Sequence, residues 1–290
     1  MLLRTPEGEA PDLHQSRRAV LAGSIFTLGY AAALSPAAAS AIETDANGLL
    51  IEEPSFKGHA GYQLPAYVAR PDRPGRFPAV VVVNEIFGIH AYIKDICRRL
   101  AKQGYVALAP DYFDRAGDPS TLTDFAEVRK IVATADFEQQ MGDTGAALGF
   151  LQGQPYVAAH QLAITGYCWG GTVVWMACAK FPILKAGAAW YGRLVGPADA
   201  GRPFPATVAG ELKAPVLGLY GGKDQGIPLD TVETMRQALA AAGNPSKSEI
   251  IVYPESQHGF HADYRPSYDE AAAKDGWARM LAWFRQNGVG

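Results

Sequence analysis

The sequence predicts an α/β fold with a mostly parallel sheet and helices on both faces. Two observations support this prediction. Short, continuous apolar segments such as 79–83 (AVVVV) are typical of strands that are buried on both faces. Segments with helically spaced apolar residues follow most of these strands, and this alternation is the βαβ pattern. We predict it from about residue 77 to the end of the sequence.

The predicted elements follow one another without an interdomain linker or repeat, so residues 42–290 are predicted to be a single domain. Antiparallel edge strands are expected at 58–71. A surface insertion is expected at 196–205, which is rich in Gly and Pro. The region 121–151 is predicted to be helical with a break near Gly142. The other predicted strands are 77–83, 105–110, 161–167, 186–192, 214–221 and 248–254, and the other helices are 91–104, 171–181, 229–243 and 267–286.

Composition and charge exclude several functional classes. The chain has 290 residues, 48% of them hydrophobic and 19% charged, and a formal net charge of −3. These values are typical of globular proteins and give no general attraction to nucleic acid or anionic lipid. The sequence has no CxxC pair, no HExxH motif and no P-loop. We therefore expect no metal, no cofactor and no nucleic-acid partner.

The N-terminal segment has the pattern of an export signal. Arg17 and Arg18 precede an uncharged stretch that runs to Leu34, and a small-residue Ala-Ser-Ala sequence ends at Ala41. Paired arginines in this place are typical of twin-arginine signals. We predict that residues 1–41 direct export to the periplasm through that machinery, with cleavage after Ala41 and no stable membrane insertion afterwards. An uncleaved anchor or an apolar N-terminal helix is the alternative interpretation.

The segment GYCWGG, residues 166–171, lies between a predicted strand and a predicted helix. It is the G-x-S-x-G nucleophile elbow with sulfur in place of oxygen. Gly166 and Gly170 allow a sharp turn that lifts the Cys168 side chain clear of the sheet. The helix dipole favours a thiolate there, and the backbone N–H of Trp169 can donate to a developing oxyanion. A buried cysteine in a glycine-rich turn is the alternative. Cys97 and Cys178 lie in apolar helical patterns and are predicted to be buried structural thiols.

A cysteine nucleophile needs a base and a group that orients the base. Asp224 follows the end of one predicted strand, and His258 follows the end of the next. The chain order Cys168, Asp224, His258 is that of α/β-hydrolases, and the carboxyl ends of parallel strands meet at one edge of a sheet. This order predicts a Cys-His-Asp triad. His261 is a rival base, and His261 with Asp263 is a possible dyad.

The combination of NEIFG (84–88), GYCWGG (166–171) and HGFHADYRPSY (258–268) resembles the dienelactone hydrolase family. APDYF (109–113) and GGKDQGIP (221–228) add to the resemblance, which spans roughly residue 55 to the C-terminus. Members of that family are cysteine-dependent α/β-hydrolases that open a cyclic enol-lactone to a keto-acid. The resemblance implies a hydrolase of carboxylic esters or lactones that acts on a small molecule through a thioester.

The resemblance also implies roles for individual residues. Cys168 would be the nucleophile, His258 the base and Asp224 its orienting group. The backbone N–H groups of Ile86 and Trp169 would form the oxyanion hole.

Three charged residues would modulate the thiol or bind the substrate. Glu85 matches the family carboxylate that contacts the resting thiol and moves to an arginine when substrate binds. Arg115 matches one of the two arginines that bind the substrate carboxylate. The position of the second is Ala262, and Arg265 is the expected substitute. Gly259 stands where the family has serine, and the segment 195–214 is longer than in the founding members.

Two other functional classes stay open at this point. Cys-elbow amidotransferases and glyoxalase-like stress proteins also have G-x-C-x-G, but they place His directly after the Cys or carry a His-x-Glu pair. Here Trp169 follows Cys168, and no His-x-Glu occurs. A non-catalytic binding protein with the same fold is the third reading. The sequence does not indicate the physiological ester or the oligomeric state.

Overall fold

The described part of the chain folds around a nine-stranded mixed sheet. The structure is a computed structural model and describes residues 41–197 and 200–290. The strand order is β1-β3-β5-β4-β6-β7-β8-β9, and β2 also pairs with β3. The strands are β1 (Leu49–Glu52), β2 (Ser55–Lys57), β3 (Gln63–Pro71), β4 (Phe77–Val83), β5 (Val106–Pro110), β6 (Val157–Tyr167), β7 (Leu184–Trp190), β8 (Val216–Gly221) and β9 (Glu249–Tyr253).

Six α-helices connect and cover these strands in the described residues. They are α1 (Ala91–Lys102), α2 (Phe125–Thr134), α3 (Phe137–Gln152), α4 (Trp169–Lys180), α5 (Leu229–Ala241) and α6 (Glu270–Gln286). Helices α3 and α4 pack together over β6, whereas α1 packs on β3 and β5, and α6 packs on β7 and β8. None of the helices in the described ranges is long and apolar enough to span a bilayer.

Strands β4 to β9 are parallel, and β1 to β3 form the antiparallel edge. The α/β prediction is therefore confirmed, including the antiparallel edge. Every residue of β4 except Pro78 is buried, as expected for a strand covered on both sides. The carboxyl ends of β4, β6, β8 and β9 lie along one edge of the sheet, and the loops that follow them meet there.

The predicted helical region 121–151 is two helices, and the predicted break at Gly142 is wrong. The break lies at Ala135 and Asp136, where the Asp136 carboxylate accepts the backbone N–H of Gln139 at 2.8 Å and caps α3. Gly142 lies inside α3. A Cβ there would fall 2.6 Å from Nδ1 of His59, so this glycine allows close packing and does not end the helix.

The predicted export signal lies outside the described residues, apart from Ala41. The first described residues are attached to α1. Asp95 accepts the backbone N–H of Thr44 at 2.6 Å, and Arg98 donates to the Thr44 carbonyl at 2.7 Å. These hydrogen bonds attach the segment that begins at Thr44 to α1, which itself packs on the sheet.

Candidate active site

Cys168 lies at the sharp turn between β6 and α4. Its backbone has φ 55° and ψ −115°, a left-handed conformation that costs a non-glycine residue of order 1–3 kcal/mol. Its N–H donates to the Trp190 carbonyl at 3.0 Å, which ties the turn to the end of β7. The side chain is 3% exposed and lines a cavity. The predicted strand-turn-helix context of Cys168 is confirmed.

The two glycines of the turn are required by close backbone approach. A Cβ on Gly170 would lie 2.5 Å from the Val83 carbonyl oxygen, and one on Gly166 would overlap the Gly170 carbonyl oxygen. Either substitution would push α4 away from the end of β4. The glycines therefore hold the start of α4 against the segment that carries Ile86.

His258 connects the turn of Cys168 to Asp224. Its Nδ1 lies 2.7 Å from Oδ2 of Asp224, and the other carboxylate oxygen accepts the N–H groups of Gly226 at 2.8 Å and Ile227 at 3.1 Å. The imidazole is also hydrogen-bonded to the side chain of Cys168. Burial lowers the pKa of His258, but the charges and hydrogen bonds of Asp224 and Cys168 outweigh burial and raise it to about 10. The structure thus brings the three predicted residues into contact.

The loops after β8 and β9 are joined by backbone contacts. The Gly222 N–H donates to Tyr253 at 2.7 Å, and the Lys223 N–H donates to Ser256 at 2.9 Å. A Cβ on Gly221 would lie 2.5 Å from the Ser256 carbonyl oxygen, so glycine is needed at this approach. These contacts place Asp224 beside His258.

The sequence analysis predicts that the N–H groups of Ile86 and Trp169 form an oxyanion hole. Both line the cavity with Cys168. The Asn84 side chain donates to the Glu85 carbonyl at 2.6 Å, and in a planar trans peptide this turns the Ile86 N–H in the opposite direction. Trp169 is the first residue of α4, so its N–H has no acceptor within the helix. Both N–H groups are available to a ligand.

The cavity beside Cys168 has a volume of about 560 Å³. Its lining mixes apolar side chains with three arginines that the sequence analysis did not select, Arg129, Arg193 and Arg202. Each arginine stands alone in the sequence, without a motif around it. Helical spacing groups Arg129 with Phe125 and Val132 on one face of α2, but it does not show what that face contacts. The lining residues are Ile86, Phe125, Arg129, Val132, Ala133, Gln140, Cys168, Trp169, Thr172, Tyr191, Arg193, Arg202, Gly226, Ile227 and His258.

Comparison with known proteins identifies the family. Residues 64–288 match the model described as the dienelactone hydrolase family. The chain belongs to this family. A Methylorubrum extorquens protein, provisionally named carboxymethylenebutenolidase, is 51% identical over 277 residues, covering 94% of each chain. A Bradyrhizobium protein, provisionally named 2-oxo-3-(5-oxofuran-2-ylidene)propanoate lactonase, is 32% identical over 230 residues, covering 79% of this chain and 91% of that one.

A solved structure agrees with this assignment. The Klebsiella pneumoniae protein, provisionally named dienelactone hydrolase, superposes with a TM-score of 0.78 at 49% identity. The match covers 82% of this chain and 99% of that chain. The chain is therefore a hydrolase of the dienelactone hydrolase type, acting on lactones or esters.

Glu85, the residue at the position of the family carboxylate, is paired with Arg265. Its Oε1 accepts from Nη2 of Arg265 at 2.9 Å, and its Oε2 accepts from the Tyr264 hydroxyl at 2.5 Å. Burial raises the pKa of Glu85, but the Arg265 charge, followed by the effect of the His90 ring 3.4 Å away, outweighs it and lowers the pKa to about 2. Glu85 is thus kept in its charged form, and it contacts Arg265.

Arg265 occupies its position because Gly259 has no side chain. A Cβ on Gly259 would lie 3.0 Å from Cδ of Arg265, and Gly259 has φ +74°. Arg265 is 3% exposed and does not appear among the residues that line the cavity. In this structure its guanidinium neutralises Glu85, and its role in binding a substrate carboxylate stays a prediction.

Arg115 is also placed differently from the expectation. It forms two hydrogen bonds with the buried carboxylate of Asp143, at 2.6 and 3.1 Å, and stacks over the Tyr62 ring at 4.5 Å. It is absent from the cavity lining. A buried protein carboxylate thus binds the Arg115 guanidinium in this structure, and the substrate contact of Arg115 stays a prediction.

His261, the rival base, points into the protein. Its Nδ1 lies 2.7 Å from the Tyr92 hydroxyl, and the Trp190 ring centroid is 4.4 Å away. Burial and then the Arg99 charge lower the pKa of His261 to about 3. Asp263 is bound by Arg99 and not by His261. The structure thus places His261 away from the cavity as a neutral ring.

Proposed function

We propose that this protein hydrolyses carboxylic esters or lactones with Cys168 as the nucleophile, His258 as the proton-transfer group and Asp224 as its orienting carboxylate. One observation carries the proposal: a single imidazole contacts both the Asp224 carboxylate and the Cys168 side chain at the wall of a cavity. This is the nucleophile, base and orienter arrangement of covalent catalysis.

The first half of the reaction forms a thioester. Because Nδ1 of His258 contacts Asp224, the other ring nitrogen faces the sulfur. A pKa of about 10 keeps that ring protonated at neutral pH. We take the thiolate as the reacting form of Cys168, because it is the nucleophilic form of a cysteine. The thiolate attacks the carbonyl carbon, and the C–O bond then breaks as His258 gives its proton to the leaving oxygen. In a lactone, that oxygen remains attached to the acyl chain.

The second half releases the acid. His258, now neutral, takes a proton from water while the oxygen attacks the thioester carbon. The C–S bond breaks, and the thiolate again faces an imidazolium. In both halves the carbonyl oxygen becomes negative, and the N–H groups of Ile86 and Trp169 are suited to bind it. One such donor is worth about 10²–10³ in rate.

The relatives support the substrate class. A methylenebutenolide and an oxofuranylidene, which their provisional names contain, are both unsaturated lactones. Where the exocyclic double bond starts at the carbon that bears the ring oxygen, that oxygen leaves as an enolate. We propose enol-lactones, together with activated esters, as the substrates of this chain. An enolate is a better leaving group than an alkoxide, so the single imidazolium suffices to protonate it.

Replacement of the nucleophile tests this proposal. Cys168→Ala is expected to abolish turnover of 4-nitrophenyl butyrate and of enol-lactones, and Cys168→Ser to be much slower than the wild type. Cys178→Ala, which changes a buried thiol away from the cavity, is the matched control and should retain activity. Mass spectrometry of the acid-quenched wild type should show one acyl group on Cys168. Unchanged turnover in Cys168→Ala would remove the proposal.

We also propose that residues 1–41 export the protein to the periplasm. The support is the sequence: Arg17 and Arg18, the uncharged stretch and the small residues that end at Ala41. The test is fractionation of cells that express the full chain. The wild type should be periplasmic with Ile42 at its N-terminus, and Arg17→Lys with Arg18→Lys should stay in the cytoplasm. Equal distribution of the two would refute export by this route.

A further inference from the structure

Three arginines surround the mouth of the cavity: Arg129, Arg193 and Arg202. Arg129 and Arg202 are exposed although they line the cavity, whereas Cys168 is buried. The Arg129 and Arg202 side chains are therefore nearer to solvent than the Cys168 thiol, which lies at the bottom of the cavity. None of the described residues that line the cavity is an aspartate or a glutamate. A cleft lined by one sign of charge concentrates ligands of the opposite sign.

Helix α2 contributes Arg129 from a mainly apolar face. Phe125, Arg129, Val132 and Ala133 all line the cavity, and their spacing of four, three and one residues places them on one side of the helix. Asp124 fixes the start of α2 by accepting the Ala126 N–H at 2.8 Å. A ligand in the cavity therefore contacts apolar side chains on both sides of the Arg129 charge.

The loop after β7 holds the other two arginines in place. The Thr172 hydroxyl, on α4, donates to the Arg193 carbonyl at 2.9 Å. The Arg202 guanidinium lies over the ring of Phe204 at 4.6 Å, and Phe204 is buried. The Phe204 ring fills the space that a Cβ on Gly196 would need, so the two ends of the loop pack together. These contacts fix the loop, so that both arginines are held at the wall of the cavity.

Arg193 and Arg202 are close enough to repel one another. Burial and then the charge of Arg193 lower the pKa of Arg202. A bound anion relieves this repulsion, and a group with two negative charges relieves it more than a group with one. Arg115 and Arg265 do not supply this charge in the structure, because Arg115 binds Asp143 and Arg265 binds Glu85.

We propose that the cavity selects esters or lactones that carry a dianionic group, bound by Arg129, Arg193 and Arg202 at the mouth while the reacting carbonyl lies at Cys168. This inference rests on the proposed function. Two kinds of group supply the required chemistry, a phosphoryl or phosphonyl group and a pair of carboxylates. The experiments below compare the two, with 4-phosphonobutyrate for the phosphonyl group and tricarballylate for the pair of carboxylates.

The first experiment compares 4-nitrophenyl esters of equal reach and different charge. The acyl groups are butyrate, glutarate, 4-phosphonobutyrate and tricarballylate, with zero, one, two and two negative charges. We expect kcat/KM to rise with charge, and each of Arg129→Gln, Arg193→Gln and Arg202→Gln to lower it roughly tenfold for the dianionic esters alone. Arg76→Gln is the control, since it is exposed before β4, at the opposite edge of the sheet. Equal kcat/KM for neutral and dianionic esters would overturn the inference and leave the catalytic proposal intact.

The second experiment does not depend on hydrolysis. Iodoacetamide alkylates Cys168, and the free acids butyrate, 4-phosphonobutyrate and tricarballylate are added as protecting ligands. All three carry one carboxylate in place of the ester carbonyl, and the last two carry a dianionic group in addition, which gives them three negative charges. We expect these two acids to protect at about tenfold lower concentration than butyrate in the wild type and in Arg76→Gln, and this advantage to vanish in the three arginine variants. Protection of this kind without turnover of any ester would refute the catalytic proposal alone. No advantage of the two acids over butyrate would overturn the anion site.

Discussion

His258 and His261 lie three positions apart in the loop after β9, yet their environments have opposite electrical signs. His258 is at the cavity wall, between Asp224 and Cys168, and its pKa is raised to about 10. His261 is on the interior side, among the rings of Tyr92, Tyr167 and Trp190, and its pKa is lowered to about 3. Burial disfavours the charged ring in both cases.

The sign of the neighbouring charge decides between the two histidines. A carboxylate and a thiol side chain contact His258, whereas the Arg99 guanidinium acts on His261 more strongly than the opposing Glu85 carboxylate. One loop therefore supplies a histidine with a raised pKa to the cavity and a neutral packing group to the core. The interior side also holds Arg265 with Glu85 in a buried ion pair. The following experiments test this division between a catalytic side and a structural side.

The largest expected effect separates the two histidines directly. His258→Gln should lower kcat/KM for 4-nitrophenyl butyrate by about 10³–10⁴, because no other described group contacts both Asp224 and Cys168. His261→Gln, which keeps a hydrogen-bonding partner for Tyr92, should cost less than about tenfold. Circular dichroism should show both variants folded. Equal losses in the two would mean that the loop has no such division.

On the interior side, Glu85→Gln should lower the free energy of unfolding by about 3–5 kcal/mol, because the Arg265 cation loses its buried partner. Urea denaturation measures this loss. The double variant Glu85→Gln with Arg265→Met should recover part of it, since no unpaired charge remains. Lys130→Gln breaks an exposed ion pair with Glu127 and should cost far less, because solvent screens that pair. If Glu85→Gln costs no more than Lys130→Gln, the pair is not buried as described.

Asp224→Asn should lower kcat by about 10²-fold or more, because the ring loses both its orientation and the main charge that raises its pKa. The NMR chemical shift of the Hε1 proton of His258 reports on the protonation of the ring. In the wild type the imidazolium should persist until the pH approaches 10, so the stability that its raised pKa contributes is complete below about pH 6.5 and is lost as the pH rises through 10. In Asp224→Asn the pKa of His258 should fall. An unshifted titration would contradict the assignment of Asp224.

The smallest effect is a pH dependence of stability on the interior side. Between pH 6.5 and about 4.5, an unfolded histidine binds a proton, whereas folded His261 stays neutral until about pH 3. The unfolded state then binds more protons, so the wild type should lose up to about 2 kcal/mol as the pH falls through this range. In His261→Gln the loss of stability over the same pH range should be smaller by that amount. The comparison uses urea denaturation at both pH values, and identical losses would show that His261 is not buried as a neutral ring.

The sequence by itself determined the fold class and the three residues of the proposed triad. Buried strands followed by helices indicate a parallel sheet, and in such a sheet the carboxyl ends of the strands meet at one edge. That rule places Cys168, Asp224 and His258 near one another although 90 residues separate the first from the last. The glycines around Cys168 are a local signal, because only a backbone without a side chain fits that turn.

Only the tertiary structure decided what the charged residues bind. Arg115 and Arg265 fit a substrate role by position, but their partners lie 28 and 180 residues away and are buried protein carboxylates. The three arginines at the mouth converge from α2 and from the loop after β7, and no motif marks them. The partner of a long charged side chain depends on which surfaces pack together, and spacing along the chain does not contain that information. The same holds for His258 and His261, whose opposite pKa shifts come from charges on other elements of the fold.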